Sequence, residues 1–478
     1  MTERQIFILR LAKALMTFGA PSHRIESQLD ATASVLEVDA QFIHLPSVII
    51  ASFGDTESQT SDAHFVKANG RLALGKLHNV HQVYRQVVHD EIGAEEGTVM
   101  LMKLLKEKPL YGLKTRCLIA FACCALICPL AFGGSFLDMW VAGTGGAILC
   151  FLQLRAADKS AMYANVFEIS VSILISFAAR GLSTIPGHLF CYESISSSGV
   201  VLILPGYLIL CSALELASKN IVNGSVRMIY AIIYSLFLGF GLTIGSDLYY
   251  IVDPRARQLR KDEASSNYTT IYVHGSFVAD NSTDIPGFNG SFSFSNATAK
   301  IDANYEVGCL RDPSWPWYRQ NFPFWTLFLL VPAYSLFSSS WNLQPLKSTQ
   351  LPAMIIISCA AFAANTAANR FILNRSDVVS AIGAFVVGIL GNAYSRIFRG
   401  TAFQCMVIGV LFLVPSGIAA AGGLSENYTG QDGDQYTTGL AIGLRMVQVA
   451  IGITVGLFGS GLIVYSFGSK KHAALFAF

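Results

Sequence analysis

The feature that most constrains this chain is a run of apolar segments, each near the thickness of a bilayer's hydrocarbon core. From Lys114 onward about ten of them follow one another, each close to the roughly 20 residues a membrane helix needs. They lie near 115–132, 136–154, 161–183, 198–218, 226–250, 322–341, 350–372, 378–398, 402–424 and 437–467. Composition agrees, with 53% hydrophobic residues, a mean hydropathy of +0.48 and 13% charged residues. Soluble domains carry about 25% charged residues. A net charge of +2 supplies no basic face for nucleic acid. The expected fold is mostly α: a polytopic membrane protein of about ten transmembrane helices in two five-helix halves, behind a small α/β domain.

That domain is expected over residues 1–112. Ile6 to Phe18 has helical apolar spacing and stops at Gly19-Ala20-Pro21. Ser22 caps a second helix through Leu36, and Gln41 to Phe53 reads as one or two strands. Ala63 to Lys67 adds another strand, and 72–91 and 95–106 read as amphipathic helices. Arg10 and Lys13 interrupt the first apolar positions, so no secretory signal is read and the N-terminus is expected in the cytosol. The first membrane half would span 113–252, a polar extracytosolic loop 253–321, and the second half 322–478.

Charge supports that orientation. The loops then facing the cytosol carry Arg155 and Lys159, Lys219 and Arg227, Lys347, Arg396 and Arg399, and Lys470 and Lys471. This is the positive-inside pattern, with Arg180 and Arg375 as exceptions. Asn-X-Ser/Thr acceptors at Asn267, Asn281, Asn289 and Asn296 fall in the polar loop, and Asn374 and Asn427 in other loops on that side. Asn223 falls on the cytosolic side and should stay bare. Cys191 and Cys309 are the one cysteine pair placed outside, which predicts a disulfide there. The other cysteines lie in apolar segments as small hydrophobes.

Polar groups inside the apolar text are the candidate site. Pro205-Gly206 interrupts the fourth segment, where proline frees backbone carbonyls that need new partners. Pro415 does the same in the ninth. The two could be half-helix breaks on a shared cavity or ordinary kinks. Glu168 and Glu215 are carboxylates within apolar segments, and ionisable groups at that depth usually face a cavity or a partner. Glu215 is read as a proton or amine ligand, or as an ion pair with Lys219 four residues on. Glu168 is read as functional, or as paired with Arg180 or Arg155. Arg227 and Arg445 lie at segment ends, where snorkelling is the plainer account. Asn365, Asn369 and Asn392 can bind an amino-acid backbone or hold helices together. His78, His81 and His89 share one helix face, read as solvated. No cofactor or metal site is expected, and no nucleophile elbow, phosphate loop or His-Glu-X-X-His motif occurs.

The string Gly19-Ala20-Pro21-Ser22-His23-Arg24-Ile25-Glu26, followed by 44–53, resembles the threonine/serine exporter family. It is most similar to the fungal branch of pheromone-regulated membrane protein 10-like proteins. The likeness continues through Leu204-Pro205-Gly206, Glu215, Asn220, Gly224-Ser225-Val226-Arg227, Val414-Pro415 and 439–445. It leaves out the polar insertion. The resemblance implies a cytosolic N-terminal domain, about ten helices, and proton-motive-force-dependent export of small hydroxylated amino acids. Five segments before the loop and five after it suggest an inverted repeat. Leu204-Pro205-Gly206 is echoed by 414–417, and Arg227-Met228-Ile229 by Arg445-Met446-Val447.

The expected protein is a non-enzymatic secondary transporter, with an amino acid, protons and the lipid bilayer as partners. It would reside in the plasma membrane or an endomembrane such as vacuole or ER. The rival is a non-transporting membrane protein whose glycosylated loop serves adhesion or fusion; a third reading makes the N-terminal domain an enzyme.

Overall fold

A computed structural model describes residues 2–55, 60–68, 70–157, 161–258, 270–277, 288–295, 305–306, 309–311, 314–372, 376–398, 400–420 and 434–466. Of the expected glycan acceptors, Asn267, Asn281, Asn296, Asn374 and Asn427 lie outside these residues, and Asn289 falls in a short hairpin strand, Phe288–Ser295.

The N-terminal part opens with α1 (Glu3–Thr17), closed at its start by a reciprocal Thr2–Gln5 capping box. Phe7, Leu11 and Leu15 recur at helical spacing and are buried. Gly19, at φ +80°, turns the chain into α2 (Ser22–Val35). An antiparallel meander follows: β1 (Ala40–Leu45), β2 (Val48–Asp55) and β3 (Thr60–Lys67). The β1–β2 turn pairs Leu45 with Val48 and places Ser47 at φ +66°. Then come α3 (Leu74–Val88) and α4 (Ala94–Lys106). Their apolar faces close over α1: a side chain on Gly97 would strike Phe7 and Val87.

The apolar remainder is helical. It comprises α5 (Leu113–Phe132), α6 (Phe136–Leu152), α7 (Ala161–Ser183), α8 (Tyr192–Gly199), α9 (Gly206–Ala217) and α10 (Ile221–Val252). After the polar insertion follow α11 (Leu327–Trp341), α12 (Leu351–Phe371), α13 (Ser376–Phe398), α14 (Ala402–Ala420) and α15 (Asp434–Ser466). One buried cluster runs from Phe7 and Leu29 through Leu74 into Phe403, Leu210 and Leu214. The N-terminal core is therefore continuous with that of the bundle.

This is a multi-pass membrane protein, but the expectation of ten membrane helices in two five-helix halves is overturned. Among the described residues six helices are long and apolar enough to cross, or up to seven if one bent pair forms a single span. The reasons are local. The expected fourth segment is that bent pair, Tyr192–Ile203 and Gly206–Leu216, at 56°. The expected sixth shortens to the 15 residues of α11, about 22 Å at 1.5 Å per residue. Hydropathy counts apolar residues; it does not see where Pro205 bends the axis or where a helix begins late.

Candidate functional site

The site is built on the bend. Leu204 is extended, at φ −62° and ψ 137°, because the ring of a following proline excludes the α region. A 3-10 turn at Val201–Ile203 precedes it, and α9 restarts at Gly206. Gly206 lies under α14: a Cβ there would come within 3.1 Å of Leu411 Cδ2 and 3.4 Å of Val414 Cγ2. The bend thus meets the helix that contains Pro415. That helix runs through Pro415 unbroken, so only the first of the two prolines divides its segment.

At its other end α9 stops at Ser218, and Lys219 takes φ +63°. The Asn220 amide returns to the Glu215 carbonyl at 2.9 Å, and α10 leaves at once. The two helices cross closely: a Cβ on Gly224 would lie 2.9 Å from Leu216 N. This crossing carries Glu215, Asn220, Asn223 and Arg227, and the N-terminal domain packs onto it.

Glu215 is fully buried. Its Oε1 accepts the Ser22 backbone N–H at 2.9 Å and also the Ser22 hydroxyl, and it pairs with Arg227 Nη1 at 2.5 Å. Its Oε2 has no hydrogen-bond partner among the described residues. Asn220 Nδ2 donates to Glu26 Oε2 at 3.1 Å, and Glu26 Oε1 accepts the His44 N–H at 3.3 Å. Asn223 is buried and donates to the His44 carbonyl at 2.9 Å, which leaves it no room for a glycan. The Tyr207 hydroxyl donates to the Gly19 carbonyl. The family-like strings 19–26, 44–53, 215–220 and 224–227, far apart in sequence, meet here. The alternative reading of Glu215, an ion pair with Lys219, gives way to bonds with Arg227 and Ser22.

Electrostatics in the docked domain follow burial. His23 is held to about 4 by burial, with Arg24 and Arg227 adding to the effect. His44 is also lowered to about 4, by burial and then Arg227. Both imidazoles are neutral at neutral pH, and both ring nitrogens of His23 lack partners among the described residues. Burial raises the Glu26 carboxyl, against the hydrogen bonds from His44 and Asn220.

A second seam ties the domain to the other side of the bundle. The Leu74 amide donates to the Asn342 carbonyl at 3.0 Å, and Gln404 Nε2 to the Leu74 carbonyl at 3.3 Å. His78 lies 3.0 Å from Gln350 Nε2, and His81 lies 3.3 Å from Gln28 Nε2. The helix face read as solvated is thus partly a contact; of the three histidines only His89 is exposed. Burial lowers both imidazoles, His81 to about 3.

The remaining candidates scatter. Glu168 is half-buried and hydrogen-bonded by the Tyr234 hydroxyl. Arg180 instead donates to Ser246 Oγ at 2.8 Å and lies over the Tyr192 ring. Asn365 is buried while Asn369, four residues on, is exposed. Asn392 donates to its own helix, at the Gly388 carbonyl, 2.9 Å away. Arg445 belongs to α15, and its side chain lies outside the described residues. Among the described residues no three His, Cys, Asp or Glu are placed to hold a metal.

One cluster was not legible as such. Asp138, fully buried, accepts the Ser135 amide and hydroxyl on Oδ2, each at 2.9 Å, and the Cys191 amide on Oδ1 at 3.0 Å. Arg311 Nη2 donates to Oδ2 at 2.8 Å and to the Gly133 carbonyl at 3.1 Å. Cys191 and Cys309 form a disulfide, with Cα atoms 5.6 Å apart. The signal available was Ser135 three residues before Asp138, a capping box at a helix start.

Comparison with known proteins identifies the family. A family model described as "Putative threonine/serine exporter" matches residues 6–249, and one described as "Threonine/Serine exporter, ThrE" matches 336–463. Pheromone-regulated membrane protein 10 of Candida glabrata is 37% identical over 98% of this chain and 54% of its own length. Its Saccharomyces cerevisiae counterpart is 38% identical over 98% and 55%, and that of Yarrowia lipolytica 37% over 100% and 38%. The chain thus spans about half the length, or less, of these relatives. No solved structure matches.

Proposed function

We propose a transport function for this chain, which belongs to the threonine/serine exporter family: it moves small hydroxylated amino acids, threonine and serine among them, out of the cytosol against protons. The family descriptions support the substrate class. The Lys/Arg distribution supports an N-terminal domain on the cytosolic side, with the acceptors at Asn267, Asn281, Asn289 and Asn296 on the other.

The observation that carries the reading is Glu215, a buried carboxylate at the foot of a bent membrane segment with one oxygen unpaired among the described residues. Buried ionisable groups in membrane helices are costly and are kept where they bind ions, protons or substrate. Here Glu215 takes the proton. As a carboxylate it holds Arg227 and Ser22, so the N-terminal domain is latched to the α9–α10 crossing. Once protonated it loses the ion pair and its hold on a bound ammonium, and loosens the latch. Asn220 orients Glu26 at the rim of the same crossing. Pro205 and Gly206 let α9 tilt against α14 beside Pro415. Glu168, Asn365, Asn369, Asn392 and Arg445 mark further points along the path.

The test is uptake of radiolabelled threonine into vesicles containing the purified chain, with and without an imposed pH gradient. The reading expects saturable flux that the gradient accelerates. Absence of threonine and serine flux under both conditions sinks it.

A further inference from the structure

We propose that Ser22 is a tethered stand-in for the transported amino acid, occupying a binding site formed by Glu215 and Arg227. The inference rests on the transport reading above and names the site where a hydroxy amino acid first engages.

The geometry is specific. Ser22 gives one carboxylate oxygen two donors, its backbone N–H at 2.9 Å and its hydroxyl. Those atoms are separated by Cα and Cβ. Free serine and threonine carry the same N–Cα–Cβ–O unit, with an ammonium where Ser22 has an amide. Both Ser22 and Glu215 are fully buried, so the contact is an occupied internal site and not a surface hydrogen bond.

Two observations show a site incompletely filled by its present occupant. Glu215 Oε2 has no partner among the described residues. The amide of Ser22 has one hydrogen to give, whereas an ammonium has three and can reach both carboxylate oxygens. Its charge-assisted bonds are also roughly twice as strong as neutral ones. The next residue, His23, 7% exposed, has neither ring nitrogen partnered among the described residues. Arg227 Nη1 bonds the same oxygen, Oε1, at 2.5 Å, and its guanidinium, with five donors, keeps others for a ligand carboxylate. A free hydroxy amino acid therefore satisfies this site better than Ser22 does. Its arrival expels the start of α2, while Asn220–Glu26 and Asn223–His44 hold the rest of the domain nearby.

Displacement can be read directly. Ser22→Cys keeps a small donor side chain at the position. Cys117 and Cys359, the two free cysteines that are not buried, are replaced by serine so that the introduced thiol reports alone. In detergent and without a gradient, saturating L-serine or L-threonine should accelerate maleimide labelling of that thiol at least fivefold. L-alanine and L-valine, which lack the hydroxyl, should accelerate it less than twofold. If the Ser22→Cys variant does not fold, Ser22→Gly removes the hydroxyl and keeps the N–H. It should lower the threonine concentration for half-maximal flux at least threefold.

Labelling indifferent to serine and threonine overturns the proposal, as does an unchanged or higher half-saturation in Ser22→Gly. Should labelling fail to respond while vesicles still carry threonine, the stand-in falls and the transport reading survives. Should labelling respond to serine with no flux in vesicles, the binding site stands and transport falls.

Discussion

The described residues contain two buried carboxylate–arginine pairs, and they are built to opposite ends. Asp138 has both oxygens in use, with Ser135 and Arg311 on one and the Cys191 amide on the other. A disulfide joins Cys191 to Cys309, two residues before Arg311. Glu215 crowds its bonds onto one oxygen and leaves the other without a partner among the described residues. Its partner Ser22 comes from a separate domain, held there by noncovalent contacts. The side chain of Arg311 is 7% exposed and that of Arg227 is 22% exposed. The first pair is a closed structural knot where α5 ends, about 30 Å along that helix from its start beside the N-terminal domain. The second is a latch.

If that contrast is right, removing the knot costs stability most. Asp138→Ala leaves a buried guanidinium uncompensated, so thermal unfolding in detergent should show a loss of about 3–5 kcal/mol. A loss below about 1 kcal/mol would make Asp138 no different from a surface pair. Next comes the covalent staple. Cys191→Ser with Cys309→Ser opens a loop whose ends are 118 residues apart, worth about 2–4 kcal/mol. Threonine flux per folded molecule should be unchanged, and a proportionate fall in flux would give the knot a transport role.

The latch domain should respond to pH through its buried histidines. His23 and His44 stay neutral in the docked domain down to about pH 4, against an ordinary value of 6.5. The unfolded chain takes up those protons first. Their contribution is therefore complete above 6.5 and is lost as pH falls toward 4, by about 3 kcal/mol for each imidazole. None of the groups bonded to Asp138 is an imidazole. A melting profile in which His23→Gln/His44→Gln keeps the full acid sensitivity would remove the histidines from the account. The smallest effect belongs to Asn392→Ala. It removes a bond within one helix, about 0.5–1.5 kcal/mol, and, at one outlying point of the path, should lower threonine flux less than twofold.

Much of this was legible in the sequence. The apolar segments, the β1–β2–β3 meander and the amphipathic α3 and α4 follow from periodicity, which reports which residues are buried. Glu215, Asn220 and Arg227 stood out as polar groups in or beside apolar text. What periodicity cannot report is which distant segments meet. Lys219 was the near neighbour of Glu215 by helical spacing, yet a left-handed residue at that position ends the helix. Arg227 and Ser22 reach Glu215 only through the α9–α10 crossing and the docked domain. Asp138 offered only the signal of a helix cap, and its arginine lies within the polar insertion, 173 residues away. The helix count failed for a related reason: a bend at Pro205 and the short α11 are matters of axis and length, not of apolar content.

The central claim is that Glu215 is kept for transport and not for the fold. Its most direct test is the threonine flux of Glu215→Gln in vesicles, divided by the amount of folded protein. The substitution keeps the shape and an oxygen for Ser22 but removes the charge. The account predicts flux at least tenfold below the unsubstituted chain, no longer accelerated by the pH gradient, with the unfolding midpoint little changed. Undiminished, gradient-driven flux from Glu215→Gln would contradict it.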